Sequence, residues 1–190
     1  PIIERIRFLG IYSNNMDEFY RVRVADVKRK IYIHLNEGEL EEAEQTKLLM
    51  EKIQDKVLGM TEDFDRIHLN VVKGLARYNI FLLGEEDLND YHTQWLSNYF
   101  KNKILRHIAP VLLTKKIKLV SRLNDFATYL YVGVHKNDKA IAYATIEVPS
   151  QNMSRFVVIP PEKSRKKKYI ILLDDIIRLN LESIFKGFIE

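Results

Sequence analysis

Ser13, Asn14, Asn15, Met16, Asp17 and Glu18 are the residues of this chain best suited to chemistry at a phosphate or a nucleotide. Three small polar residues and then two acids interrupt an apolar run, and Asn15 with Glu18 three positions on has the spacing of a capping box. The spacing predicts a helix that begins at Asn15, with Asp17 and Glu18 at the positive end of its dipole. Free backbone N–H groups there, beside Arg21, Arg23, Lys28, Arg29 and Lys30, could receive a phosphate or a nucleotide. The plainer alternative is an ordinary capped helix with a solvated basic face.

The other familiar constellations are missing. There is no Gly-rich phosphate loop, no GxSxG and no HExxH. His34, His68, His92, His107 and His135 are scattered, with no second ligand at metal spacing. Asp174 and Asp175 precede an apolar run and read as a helix cap rather than a Mg²⁺ site. Trp95 stands among aromatic neighbours at helical spacing and reads as core. No catalytic or metal-ligating residue is therefore assigned. Charge is unevenly spread: residues 36–65 hold ten acids against three lysines, whereas 101–122 hold seven bases and no acid. Lys163, Arg165, Lys166, Lys167 and Lys168 make a second basic run, suited to a polyanion or to a solvated loop.

The elements that must position these residues follow from periodicity. A first helical piece covers residues 1–12 and a second runs from Asn15 to about Asn36, its apolar face built from Met16, Tyr20, Val24, Val27, Ile31 and Leu35. Asn36, Glu37 and Gly38 close it, and the acidic stretch to Gln45 is a loop or the start of the next helix. From Thr46, apolar residues recur at steps of three or four from Leu49 to Tyr78, a single long helix despite Gly59 and Gly74. The two long helices should pack antiparallel as an all-α unit over residues 1–78. Beyond Asn79, Ile80–Leu83 is extended and Leu88 to about Ile108 is helical, ended before Pro110. Segments 129–134 and 140–148 make a hairpin with a polar turn, 155–159 and 169–173 are further strands, and a final helix follows Asp174 or Asp175. Residues 79–190 thus form an α+β unit with a mainly antiparallel sheet.

At 190 residues, with 46% hydrophobic and 29% charged, the chain has the composition of a soluble globular protein of one large or two small domains. It has no Cys, which excludes disulfides and thiolate metal sites and fits a reducing cytoplasm. No apolar run reaches the roughly 18 residues a membrane span needs. Starting at Pro1 without Met, and stopping after an apolar run, it reads as part of something longer.

The string ERIRFLGIYSNNMDEFYRVRVADVKRK resembles the N-terminal signature of the bacterial polyphosphate kinase family, the long-chain, histidine-phosphorylating type. The likeness continues through FLLGEEDL, the Trp95–Leu96 helix, Ile108–Pro110, IEVPS, RFVVIPPE and YIILLDDIIRLNLESIFKGF, so it spans essentially the whole chain. The resemblance implies a helical N-terminal domain at 1–78 and part of a head domain at 79–190. It implies reversible transfer of the terminal phosphate of ATP to polyphosphate through a phosphohistidine. The nucleophilic histidine, the second histidine and the Mg²⁺ ligands belong to C-terminal domains that this chain does not hold, so the fragment alone is expected to be inactive. One site residue carries over: the second Asn of the SNN motif, which contacts ATP in the family, falls on Asn15. Its amide can both donate to and accept from an adenine edge. The resemblance further implies ATP, polyphosphate and the chain's own C-terminal domains as partners, a homo-oligomer, no specific nucleic acid, and a cytoplasmic or peripherally membrane-attached protein. The rival reading is a non-enzymatic polyanion- or RNA-binding module that uses the basic runs alone.

Overall fold

Leu, Ile, Met and Tyr at steps of three and four, with charge on the remaining positions, carry one helix through the polar motif without a break. In the computed structural model, which describes residues 1–114, 123–136, 139–162 and 166–189, α1 (Ile2–Glu18) passes into a π-helical segment at Phe19–Val24 and then into α2 (Ala25–Glu37). The expected start at Asn15 is therefore corrected. The Phe19 N–H bonds back to the carbonyls of Asn15 and Met16, so Asn15 lies inside a continuous ladder and caps nothing. Ser and Asn cost only a few tenths of a kcal/mol against Ala inside a helix. Packing on both sides of the motif offsets that easily: Tyr12 stacks on Phe64 of the facing helix, ring centroids 5.3 Å apart.

The rod ends where the sequence says it should. Gly38 adopts φ +79°, the left-handed conformation that closes helices, and its N–H bonds to the His34 carbonyl. His34 Nδ1 lies 2.6 Å from Glu39 Oε2 and ties the turn from the side-chain direction. α3 then runs from Leu40 to Leu75, 36 residues, so the acidic stretch is helix rather than loop. The two arms fold back on each other about Gly38, with Ile2 at the far end reaching Gly74. Burial in this unit, Pro1–Tyr78, is sparse. Ala43 and Val71 are buried, while Phe8, Leu40 and Leu58 are each about two-thirds exposed or more.

The second unit, Asn79–Glu190, holds a dense core. Its strands are β1 (Ile80–Leu82), β2 (Val111–Leu112), β3 (Tyr129–Lys136), β4 (Lys139–Glu147), β5 (Phe156–Ile159) and β6 (Lys168–Leu172). They form two three-stranded sheets rather than one, ordered β1-β6-β5 and β2-β4-β3. All pairs are antiparallel except β1 with β6, which is parallel. α4 (Asp90–Tyr99) is capped by Asn89, whose Oδ1 accepts the His92 N–H at 2.9 Å, so the helix begins two residues later than its apolar pattern. A π segment (Phe100–Ile104) and a 3₁₀ turn (Leu105–His107) extend it towards Pro110. α5 (Leu173–Leu179) and α6 (Leu181–Ile189) close the chain, separated at Asn180, whose side chain bonds to the Ile176 carbonyl. Leu96, Phe100, Ile104, Ile146, Ile159, Ile171, Ile176 and Ile177 are at most 1% exposed, drawn from α4, the π segment after it, both sheets and α5. The expected turn residues Asn137 and Asp138 lie outside the described residues.

Candidate functional site

Asn15 projects from the middle of the α1–α2 rod, exposed, and its side-chain amide makes no hydrogen bond among the described residues. Helical spacing places it in line with Ile11, four residues before it, and with Phe8 a further turn back, both exposed. A lone amide thus interrupts an apolar stripe. Ser13, Met16 and Asp17 border an open groove of about 450 Å³ between α1 and α3, completed by Tyr12, Tyr20, Val57, Thr61 and Phe64. The π segment begins four residues beyond Asn15. It widens the helix locally and shifts the register of everything that follows, a device common where a helix serves a site.

The charges expected at a helix terminus are paired along the rod instead. Arg21 reaches Asp17 at 3.2 Å, and Asp26 accepts from both Arg29 and Lys30. The Arg29 hydrogen bond holds the Asp26 carboxyl below its ordinary range. With no free N–H row at Asn15, the phosphate-at-a-helix-end reading does not survive. What remains at this position is a solvent-facing amide able to donate and accept at once.

The basic runs are only partly brought into view. Lys101 and Lys103 stand exposed on the π segment after α4, and Arg106 Nε donates to His107 Nε2 at 3.2 Å. Lys115, Lys116, Lys118 and Arg122 lie outside the described residues, as do Lys163 and Arg165. In the second run Lys167 Nζ sits 5.6 Å from the centroid of the Phe81 ring, and the Lys168 N–H bonds to the Asn79 carbonyl at the start of β6. That half of the run is anchored to the sheet rather than free in a loop.

Asp174 and Asp175 occupy the first turn of α5 without capping it by a side chain. Each faces an arginine, Arg155 at 3.5 Å and Arg178 at 2.9 Å. Burial pushes the Asp175 carboxyl up, against the pull of Arg178. Both acids are thus committed to ion pairs, and among the described residues no group of three His, Asp or Glu side chains could hold a metal ion. Trp95 packs against the core and stacks on Tyr99 at 4.9 Å. His92 is a core residue, 5% exposed, with its ring 4.9 Å from that of Tyr169 and no partner for Nδ1 among the described residues.

Comparison with known proteins covers both units. Residues 1–83 match the family model described as the polyphosphate kinase N-terminal domain, and residues 91–189 match the polyphosphate kinase middle domain. The chain is 43% identical over all 190 residues to the polyphosphate kinase of Vibrio parahaemolyticus, 45% to that of Yersinia pestis and 44% to that of Escherichia coli K12. In each case it spans 27% of the relative's length. The crystal structure of polyphosphate kinase from Porphyromonas gingivalis superposes with a TM-score of 0.74 at 29% identity, over 98% of this chain and 27% of that one.

Proposed function

The chain belongs to the polyphosphate kinase family, and from that premise we propose that it forms the N-terminal and head portion of an enzyme that reversibly transfers the terminal phosphate of ATP to polyphosphate. In this reading Asn15 contacts the adenine edge, and catalysis, with the Mg²⁺ it uses, belongs to domains outside this chain. The chain's exposed surfaces serve those domains and a second copy of the enzyme, in the cytoplasm. The observation that carries the site is the exposed, unengaged amide of Asn15 on a rod that gives it no structural task. No helix among the described residues is long and apolar enough to cross a membrane.

The isolated chain is expected to form no phosphohistidine with labelled ATP and Mg²⁺. His34 is engaged by Glu39, His92 is buried, and no described histidine stands in a pair positioned for phosphoryl transfer. Acid-labile label retained on the isolated chain would refute this.

A polyanion-binding reading retains one specific support, the exposure of Lys166, Lys167 and Lys168. If they bind polyphosphate, replacing all three by Gln flattens the plot of log affinity against log salt by about 0.7 for each phosphate no longer neutralised, because fewer counterions are released. An unchanged slope assigns these lysines to the sheet alone. Binding of RNA in place of polyphosphate, with the same flattening, would favour the non-enzymatic module.

A further inference from the structure

Strand alternation sends Leu130, Val132, Val134, Ala144 and Ile146 of β3 and β4 into the core and turns Tyr129, Tyr131, Tyr143, Thr145 and Glu147 to the opposite face. One residue on that outer face breaks the pattern. Thr145 is 7% exposed, whereas Tyr131 and Tyr143 on the same face are 63% and 43% exposed. The cover is a cleft of about 330 Å³, walled by the segment at His107–Val111 on one side and by Pro149–Asn152 on the other. Its size lies at the lower end of the range for small-molecule sites.

The lining mixes apolar and polar groups, and three of its polar side chains are unspent. The Thr145 side chain, Gln151 and Asn152 make no side-chain hydrogen bond among the described residues. The Tyr129 hydroxyl donates to one carboxylate oxygen of Glu147 at 2.9 Å and accepts the Asn124 N–H at 3.0 Å, which fixes the carboxylate and leaves its second oxygen to accept. His107 accepts from Arg106 through Nε2, which in the neutral ring puts its proton on Nδ1 as a donor. Among the described lining residues Glu147 is the single acid and there is no Lys or Arg, so the described groups are hydrogen-bonding rather than charged. Next to Thr145 in register lies Tyr131, stacked on Tyr143 with ring centroids 5.4 Å apart, an exposed aromatic surface on the same face of the sheet.

We propose that this cleft on the outer face of the β2-β4-β3 sheet binds a nucleoside. A ribose diol gives a carboxylate two O–H donors, which matches Glu147. Amide and hydroxyl groups match the mixed donors and acceptors of a base edge, and a flat base can stack on the tyrosine surface, an interaction that tolerates any base.

The test is calorimetric titration of the 190-residue chain with adenosine, guanosine, 2′-deoxyadenosine and free ribose. Adenosine and guanosine are expected to bind at submillimolar to millimolar concentrations, with 2′-deoxyadenosine and ribose each about tenfold weaker. Thr145→Val, which keeps shape and removes the hydroxyl, and Glu147→Gln should each weaken adenosine about tenfold. Thermal melting of both variants confirms that they fold. Adenosine binding removed by Asn15→Ala belongs to the Asn15 site, and binding removed by Thr145→Val and Glu147→Gln belongs to this cleft, which keeps the two readings separable. Absence of binding at millimolar adenosine, ribose binding as tightly as adenosine, or binding indifferent to both cleft variants would each overturn the proposal.

Discussion

With its catalytic domains in place, an enzyme carrying Asn15→Ala is expected to show a KM for ATP raised about tenfold with kcat little changed. Loss of one hydrogen-bonding partner to a bound base costs on the order of 1 kcal/mol, and a contact to a part of the substrate remote from the reacting phosphate affects binding more than chemistry. Stability separates this from a structural role. Because Asn15 lies within a continuous helix and caps nothing, Ala should raise the melting temperature slightly, by the few tenths of a kcal/mol that separate the two in helix propensity. Were Asn15 a cap, the same change would cost about 1 kcal/mol of helix stability. Asn15→Ser should also weaken ATP use, since a hydroxyl does not reproduce a paired amide donor and acceptor. Unchanged KM in both variants would remove Asn15 from the nucleotide site.

The larger energetic effect belongs to Phe100→Ala. Phe100 is fully buried at the junction of α4 and the core of the second unit, and its truncation is expected to cost about 3–5 kcal/mol. That is a large share of the roughly 5–15 kcal/mol typical of a whole domain. Trp95 is the one tryptophan in the chain and packs against the same core, so its fluorescence reports the second unit selectively. In denaturant its transition should move to markedly lower concentration. Far-ultraviolet dichroism, dominated by the long helices of the first unit, should keep most of its amplitude through that transition. Leu58→Ala, at a residue 64% exposed on α3, should change stability by no more than about 0.5 kcal/mol. A cost below about 1 kcal/mol for Phe100→Ala would mean that the core relaxes around the cavity.

Much of this molecule is legible in its residues, because much of it is local. The three- and four-residue steps from Leu49 to Tyr78 specify α3, Gly38 specifies the turn, and alternation in 129–134 and 140–148 specifies β3 and β4. Asn15 could be singled out as a candidate contact residue because a short polar motif inside an apolar run is conspicuous and carries the family likeness. What Asn15 does to the helix was not legible. Ser-Asn-Asn followed by two acids satisfies every local rule for a helix start, yet the backbone runs through it, since Tyr12 and Met16 pack beside α3 and a mid-helix Asn costs little. The same limit applies in the second unit. Parallel pairing of Ile80–Leu82 with Lys168–Ile170 joins segments far apart in the chain, and two-residue β2 exists only because β4 offers it an edge. Thr145 reads from sequence as one more residue of a strand. Only the tertiary structure covers it, by bringing His107–Val111, more than thirty residues earlier, against the outward-facing position beside the turn that follows β4.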